Sequence, residues 1–358
     1  MSMEISTKRV LILGGTGAMG VHLCELLSDH GMSVTVTSRT PRKPHGNIQY
    51  LLGNAKDHNF LKPILEKKWD CIVDFMVYKT EEFQQRSDIL LQSTKHYLFL
   101  SSARVYANSA EPITENSPRL LDVCKDSAYL ATDEYALTKA RQENILFASA
   151  HKNWTVIRPY ITYSKDRLQL GTMEKEDWLF RTLQGKKILM TEELLACKTT
   201  LTSGLEVASQ IAALIMASEQ SFTQIYNTVG ENGKTWDEIR CEYQNALEKK
   251  GAKLRVLVCS REAYLKGQPA RYQYLYDRLY NRMFDNTKIA AISPNSSPHL
   301  KNLKLQQCVT DFLAERSFKT INWSLEGSRD RQCSERPCFL KLPGIKNKAK
   351  YMKNYILG

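Results

Sequence analysis

The chain has 358 residues, with 50 Lys and Arg against 38 Asp and Glu, a formal charge of +12 and 42% hydrophobic residues. This length buries a full core and accommodates one large and one smaller domain, and the composition is that of an ordinary globular protein. No apolar run is long enough to span a membrane, and the start, Met1 to Lys8, has no apolar core like that of a secretory signal before Val10. The nine cysteines are scattered and none forms Cys-x-x-Cys. That pattern fits a reducing cytosol, excludes a disulfide framework and leaves no metal site to expect.

Arg9–Leu13 is an apolar run of strand type. It leads into Gly14-Gly-Thr-Gly17-Ala-Met-Gly20 and then a helical pattern. A strand, a glycine turn and a helix in that order predict a dinucleotide cradle. Gly14 allows the tight turn, Gly17 lets backbone approach a pyrophosphate, and Gly20 lets helix and strand pack closely. The helix N-terminus then offers N–H groups and a positive dipole to phosphate. The second strand, Ser33–Thr37, ends in Ser38-Arg39-Thr40, without the acidic residue that binds a ribose 2′-hydroxyl in NAD sites. Arg39, helped by Ser38, would pair with a 2′-phosphate instead, which tilts the expectation to NADP(H) over NAD(H).

Further strands are expected at Ile48–Leu52, Cys71–Phe75, His96–Ser101 and Thr155–Arg158. Helices are expected at Ala18–His30, Asn59–Lys67, Thr80–Ser93 and Asp133–Ala150, the last capped by Thr132 or Asp133. Such alternation predicts an α/β fold: a doubly wound parallel sheet with helices on both faces and ligands beyond the carboxyl ends of its strands. Tyr135 and Lys139 lie four residues apart, on one face of their helix. A lysine ammonium about 4 Å from a phenol favours the phenolate by ~4 kcal/mol at an effective dielectric near 20. The expectation is a tyrosine tuned by Lys139 toward neutrality and fit for acid–base work.

These segments resemble the extended short-chain dehydrogenase/reductase family, the NAD(P)-dependent nucleotide-sugar epimerases, dehydratases and reductases. The resemblance rests on the glycine turn, Leu100-Ser101-Ser102-Ala-Arg-Val-Tyr106, the Tyr135/Lys139 pair, Leu52 to Asp57, Val156-Ile-Arg158-Pro159, and Tyr226-Asn227-Thr-Val-Gly230 with Trp236 to Ile239. It runs from about Arg9 to Pro294 and is looser beyond Arg167. It implies a Rossmann-type sheet with a smaller C-terminal α/β substrate domain. It also implies hydride transfer on a nucleotide sugar, at C4, in surface glycan or deoxysugar synthesis. Ser102, Tyr135 and Lys139 would be catalytic. Gly14, Thr16, Gly17, Ala18, Met19, Gly20, Ser38, Arg39, Asp57, Tyr135, Lys139 and Pro159 would hold the cofactor. Ser102, Arg167 and Arg282 are candidates to hold the substrate. Three departures stand out. Ala103-Arg104 replaces the Asp-Glu pair of the dehydratases, which argues against a 4,6-dehydratase. Gly204-Leu205-Glu206 replaces paired aspartates before a helix. Tyr160 to Ser164 replaces the usual Asn-x-Tyr-Gly-Pro.

The expected division is a cofactor domain at 1–165, with 200–217 returning to it, a mainly substrate-binding domain at 166–325, and a basic appendage at 326–358. Residues beyond Trp323 show little regular periodicity. Lys341, Lys346, Lys348, Lys350 and Lys353 follow Cys338 with no acidic residue among them. This stretch reads as a solvated or partly docked tail, or as a peripheral membrane contact. The expected partner is a nucleotide sugar, and the resemblance suggests a homodimer built on the Thr80–Ser93 and Asp133–Ala150 helices. No nucleic acid is expected. The alternative class is a non-catalytic protein of this fold that senses NADP or binds RNA, which the positive charge permits and the complete Ser102, Tyr135 and Lys139 set opposes.

Overall fold

The structure is a computed structural model that describes residues 7–230, 233–266, 269–293, 304–337 and 342–357. Cys338, Lys341 and Pro294, named above, lie outside these residues, as does the start of the chain through Ser6.

Seven strands form one parallel sheet, in the order Gln224–Thr228, Trp154–Pro159, Thr94–Leu100, Trp69–Asp74, Arg9–Leu13, Ser33–Ser38, Ile48–Leu52. Side chains of a strand alternate between faces, and the first strand shows the consequence. Val10 and Ile12 pack with Leu23 and Leu27 of the Gly20–Asp29 helix and with Val207 and Ile211 of the Gly204–Ala217 helix. Leu11 and Leu13 face the other way, with Leu61, Phe83, Leu90 and Leu146 from the helices of the opposite layer. Both faces are therefore covered, which is why the strands read as near-continuous apolar runs. The chain order reverses on the two sides of Arg9–Leu13, so the crevice beside that strand's carboxyl end is the topological switch point where such sheets bind ligands.

A second large core gathers Trp178, Trp236, Tyr243, Tyr264 and Phe312. Small sheets surround it. Lys187–Met190 pairs in parallel with Arg255–Val258, and Lys198–Ser203 lies between Ile161–Tyr163 and Gly233–Thr235. The Trp236–Glu248 helix starts with a capping box closed by Thr235 and Glu238.

Three local expectations need correction. The single helix expected at Thr80–Ser93 is two, Thr80–Gln84 and Ser87–Gln92, parted at Gln85 and Arg86. The helix expected from Asp133 starts at Tyr135, and its cap is Glu134, whose carboxylate accepts from the Ala136 amide at 2.8 Å. Thr132 instead donates its hydroxyl to the Tyr129 carbonyl, and Asp133 is taken by Thr138 and Thr80. The segment beyond Trp323 is not irregular. Helices Trp323–Gln332 and Gly344–Leu357 cross so closely that a Cβ on Gly327 would lie 2.2 Å from the Tyr351 carbonyl oxygen. Arg181 donates to Glu326 and Asp330 at 2.8 Å each, and Tyr351 donates to Asp330. All three members of the Arg181 pairings are buried, so these helices are tied into the second core by charge as well as by packing.

Candidate active site

The glycine turn leaves the first strand with Gly14 at φ +73°, a left-handed conformation that glycine adopts without strain. The Gly14 amide donates to the Thr37 hydroxyl at 3.1 Å and ties the turn to the neighbouring strand. A Cβ on Gly20 would lie 2.5 Å from the Gly15 carbonyl oxygen, and one on Gly204 would lie 2.1 Å from that of Ala18. Two helices thus close on the turn, and the second uses Gly204 where the resemblance led one to expect acidic residues. A Cβ on Gly17 would meet nothing within 4 Å, and the side chain position is exposed. This open backbone, beside the N-terminus of a ten-residue helix, fits a pyrophosphate. Thr16, Ala18 and Met19 line the same turn, half-buried.

The other expected cofactor residues are more dispersed. Ser38 is buried and gives its hydroxyl to the Thr40 carbonyl at 2.7 Å, while Arg39 is exposed at the strand end. Asp57 is exposed and caps the His58–Leu65 helix, accepting from the Asn59 amide at 2.9 Å. Pro159 closes the Trp154–Pro159 strand and is buried.

Ser102 follows the Thr94–Leu100 strand in extended backbone, and its hydroxyl oxygen accepts from the Arg104 amide at 3.2 Å. A buried network beneath it sets the Tyr135 helix in place. Glu143, two turns along that helix, accepts from the Ser101 hydroxyl at 2.6 Å, from Arg158 at 2.7 and 2.8 Å, and from Arg119 at 3.1 Å. Strand ends and helix are thereby locked together, with the Ser102 hydroxyl on the side of Tyr135 where it favours the phenolate. The sequence pattern did not single out Glu143. Its only signal was an acid on the inner face of the Tyr135 helix.

Burial pushes the Tyr135 phenol above the usual tyrosine range. The Arg104 and Arg167 guanidiniums and the Ser102 hydroxyl pull the other way. The cations that oppose the rise are these arginines and not Lys139, and they do not overcome it. Arg104 lies with its guanidinium carbon 5.3 Å from the Tyr135 ring centroid. Lys139 is 1% exposed, donates to the Leu100 carbonyl at 2.7 Å and sits 4.6 Å over the Phe99 ring. Burial lowers its pKa to about 8, against the pull of Asp74 and Glu143. The shared helix face is real, but the ammonium is spent on the strand rather than on the phenol.

Arg282 is also reassigned. It is fully buried and donates to Asp277 at 3.0 Å, to the Ala107 carbonyl at 3.0 Å and to the Tyr106 and Tyr276 carbonyls. With Nε, Nη1 and Nη2 all engaged inside the protein, it holds the second core against the Tyr106 segment and presents no donor at the surface. Arg167 is half-buried, bonded to Thr162 at 3.0 Å and paired with Glu174 at 3.6 Å, close enough to act on Tyr135. Among the described residues no group of His, Cys, Asp and Glu has metal-binding geometry, and every cysteine is free.

The profile of the NAD dependent epimerase/dehydratase family matches residues 10–196. The chain belongs to that family. The chain is 27% identical over 258 residues to the chloroplast stem-loop binding protein of 41 kDa b from Arabidopsis thaliana, which covers 65% of this chain and 62% of that protein. The chain therefore spans less than two thirds of that relative. It is 25% identical over 262 residues to a UDP-N-acetyl-α-D-glucosaminuronate decarboxylase from Bacillus cytotoxicus, covering 65% and 78%. In fold it is similar to the UDP-N-acetylglucosamine 4-epimerase of Methanobrevibacter ruminantium, with a TM-score of 0.64 at 16% identity over 86% of this chain and 99% of that one. The solved structures it resembles are extended short-chain dehydrogenase/reductase nucleotide-sugar epimerases, and its seven-stranded parallel sheet matches theirs.

Proposed function

We propose that the protein is a nucleotide-sugar epimerase or 4-keto reductase that moves a hydride and a proton at a carbinol carbon, C4 of the sugar. The observation that carries this reading is the placement of Ser102 at a strand end and Tyr135 at the start of a helix that the Glu143 network locks to that strand, at the same sheet edge as the open glycine turn. A nicotinamide cofactor fits that turn. When bound it supplies the hydride donor or acceptor. Gly14 to Gly20 would hold its pyrophosphate, and Arg39, exposed and unburdened by burial, would favour a 2′-phosphate and so NADP(H).

The residues of the chain do the proton work. Tyr135, kept protonated by burial, donates from its hydroxyl to a forming alkoxide in the reductive direction. In the oxidative direction its phenolate takes the hydroxyl proton of the sugar, and the Arg104 and Arg167 guanidiniums stabilise that phenolate. Ser102 holds the reacting oxygen. Positioned acid–base catalysis of this kind contributes about 10²–10⁴-fold. Tyr135→Phe should therefore lower turnover by at least about a hundredfold while cofactor still binds. A variant that kept most of its activity would remove Tyr135 from the reaction.

The decisive experiment releases and identifies the nucleotide that copurifies with the protein, then titrates the emptied protein with NADPH and NADH. Retained NAD supports an epimerase that recycles its cofactor. An empty site that prefers NADPH supports a reductase. The name of the Arabidopsis relative favours one second reading, that the chain binds a nucleic-acid stem-loop. Tight RNA binding with a steep salt dependence, and no turnover of any nucleotide sugar, would select it.

A further inference from the structure

We propose, building on the function just given, that Arg104 seats an anionic group of the sugar itself, so that the preferred substrate is a nucleotide-linked uronate, with a carboxylate beside the carbon on which Tyr135 acts. Arg104 stands two residues after Ser102, is bonded to it through the backbone, and lies against the Tyr135 ring. Whatever touches both hydroxyls comes within reach of its guanidinium.

The charge count around it is uneven. Arg104 pairs with Glu134 at 2.5 Å and with Asp277 at 3.5 Å, and Asp277 also takes Arg278 and, at 3.0 Å, Arg282. Three guanidiniums, which stay charged at any working pH, thus share two carboxylates inside the protein. A buried excess of positive charge is costly unless an anion completes it. Of the three, Arg104 is the one that opens outward. Its side chain is 13% exposed, against 2% for Arg278 and 0% for Arg282. Arg167, half-buried and close enough to act on Tyr135, adds to the same field. The phosphates of the nucleotide are attached at C1, across the ring from C4, so they do not meet this need. A planar carboxylate on C5 does, and it suits the paired donors of a guanidinium.

The test measures binding and kcat/KM of the full chain, with cofactor present, for UDP-glucuronate and UDP-glucose. The wild type should favour the uronate by roughly tenfold or more, the scale of one charge-assisted hydrogen bond. Arg104→Gln should erase most of that ratio, and Arg104→Lys should keep part of it. The wild-type ratio stands by itself even where a variant fails to fold. Equal use of the two sugars overturns the inference and leaves the proposed function intact, the excess charge then serving only the Tyr135 phenolate. If neither sugar bound with NAD or NADPH present, this inference would fall, while the proposed function would still be decided by the nucleotide released from the purified protein.

Discussion

Replacing Lys139 by methionine should remove a pH dependence of stability that this one side chain creates. Its ammonium is buried beneath the strand ends, and its pKa falls from 10.5 to about 8. At about 1.4 kcal/mol per pKa unit, that is a penalty on the order of 3 kcal/mol for holding the charge inside the folded protein. Between about pH 8 and 10.5 the unfolded chain binds this proton more tightly than the folded one. The penalty is thus fully present below the folded pKa and is relieved as pH rises through it, so this term makes the wild type more stable with increasing pH. Methionine conserves the apolar stem, removes the charge and leaves the Leu100 carbonyl without the donor now at 2.7 Å. An unsatisfied buried acceptor costs about 1–3 kcal/mol. The two effects nearly cancel at pH 7, where the variant should match the wild type or exceed it by up to about 2 kcal/mol. Near pH 10 most of the penalty has gone and the lost acceptor outweighs the rest, so the variant should be the weaker protein. Urea titrations of both proteins at pH 7, 8, 9 and 10 measure this directly, because titrating groups that do not interact with Lys139 cancel in the difference between them. Parallel profiles would refute the placement of a charged ammonium beside Asp74 and Glu143.

Gly20→Ala places a methyl carbon 2.5 Å from the Gly15 carbonyl oxygen, so the turn must open, and NADPH binding followed by fluorescence should weaken by roughly tenfold or more. Unchanged binding would remove the turn from the cofactor site. Arg39→Gln alters an exposed side chain and should change stability by no more than about 0.5 kcal/mol. It should also lower affinity for NADPH relative to NADH, and an unchanged ratio would make Arg39 an ordinary loop cation. Arg181→Met removes one partner each from the buried Glu326 and Asp330 carboxylates, which keep Arg329 and Lys186, and should cost about 1.5–3 kcal/mol, read as the shift of the urea midpoint. A near-neutral result would mean that packing and the remaining Lys186 and Arg329 pairs hold the C-terminal helices without Arg181.

The fold was legible because its signals are local. Val10 and Ile12 against Leu11 and Leu13 is the period-two pattern of a strand covered on both faces, and the glycine turn that follows announces a phosphate-binding crevice through backbone geometry alone. The four-residue spacing of Tyr135 and Lys139 likewise determined that they share a helix face. It did not determine where a long flexible ammonium ends, and the tertiary structure sent it to the Leu100 carbonyl of a strand. The arginines were ambiguous for the same reason. Arg167 and Arg282 look alike in sequence, yet only packing decides that Arg282 is surrounded by Asp277 and backbone carbonyls while Arg167 comes near the phenol. Arg104 entered the sequence reading only as a missing dehydratase carboxylate, since its partners Glu134 and Asp277 are remote in the chain and meet it only on folding. Sequence alone determined backbone conformation and helix faces, which depend on neighbours a few residues away. The electrostatics of the site depend on charges brought together from distant segments, and only the tertiary structure decided them.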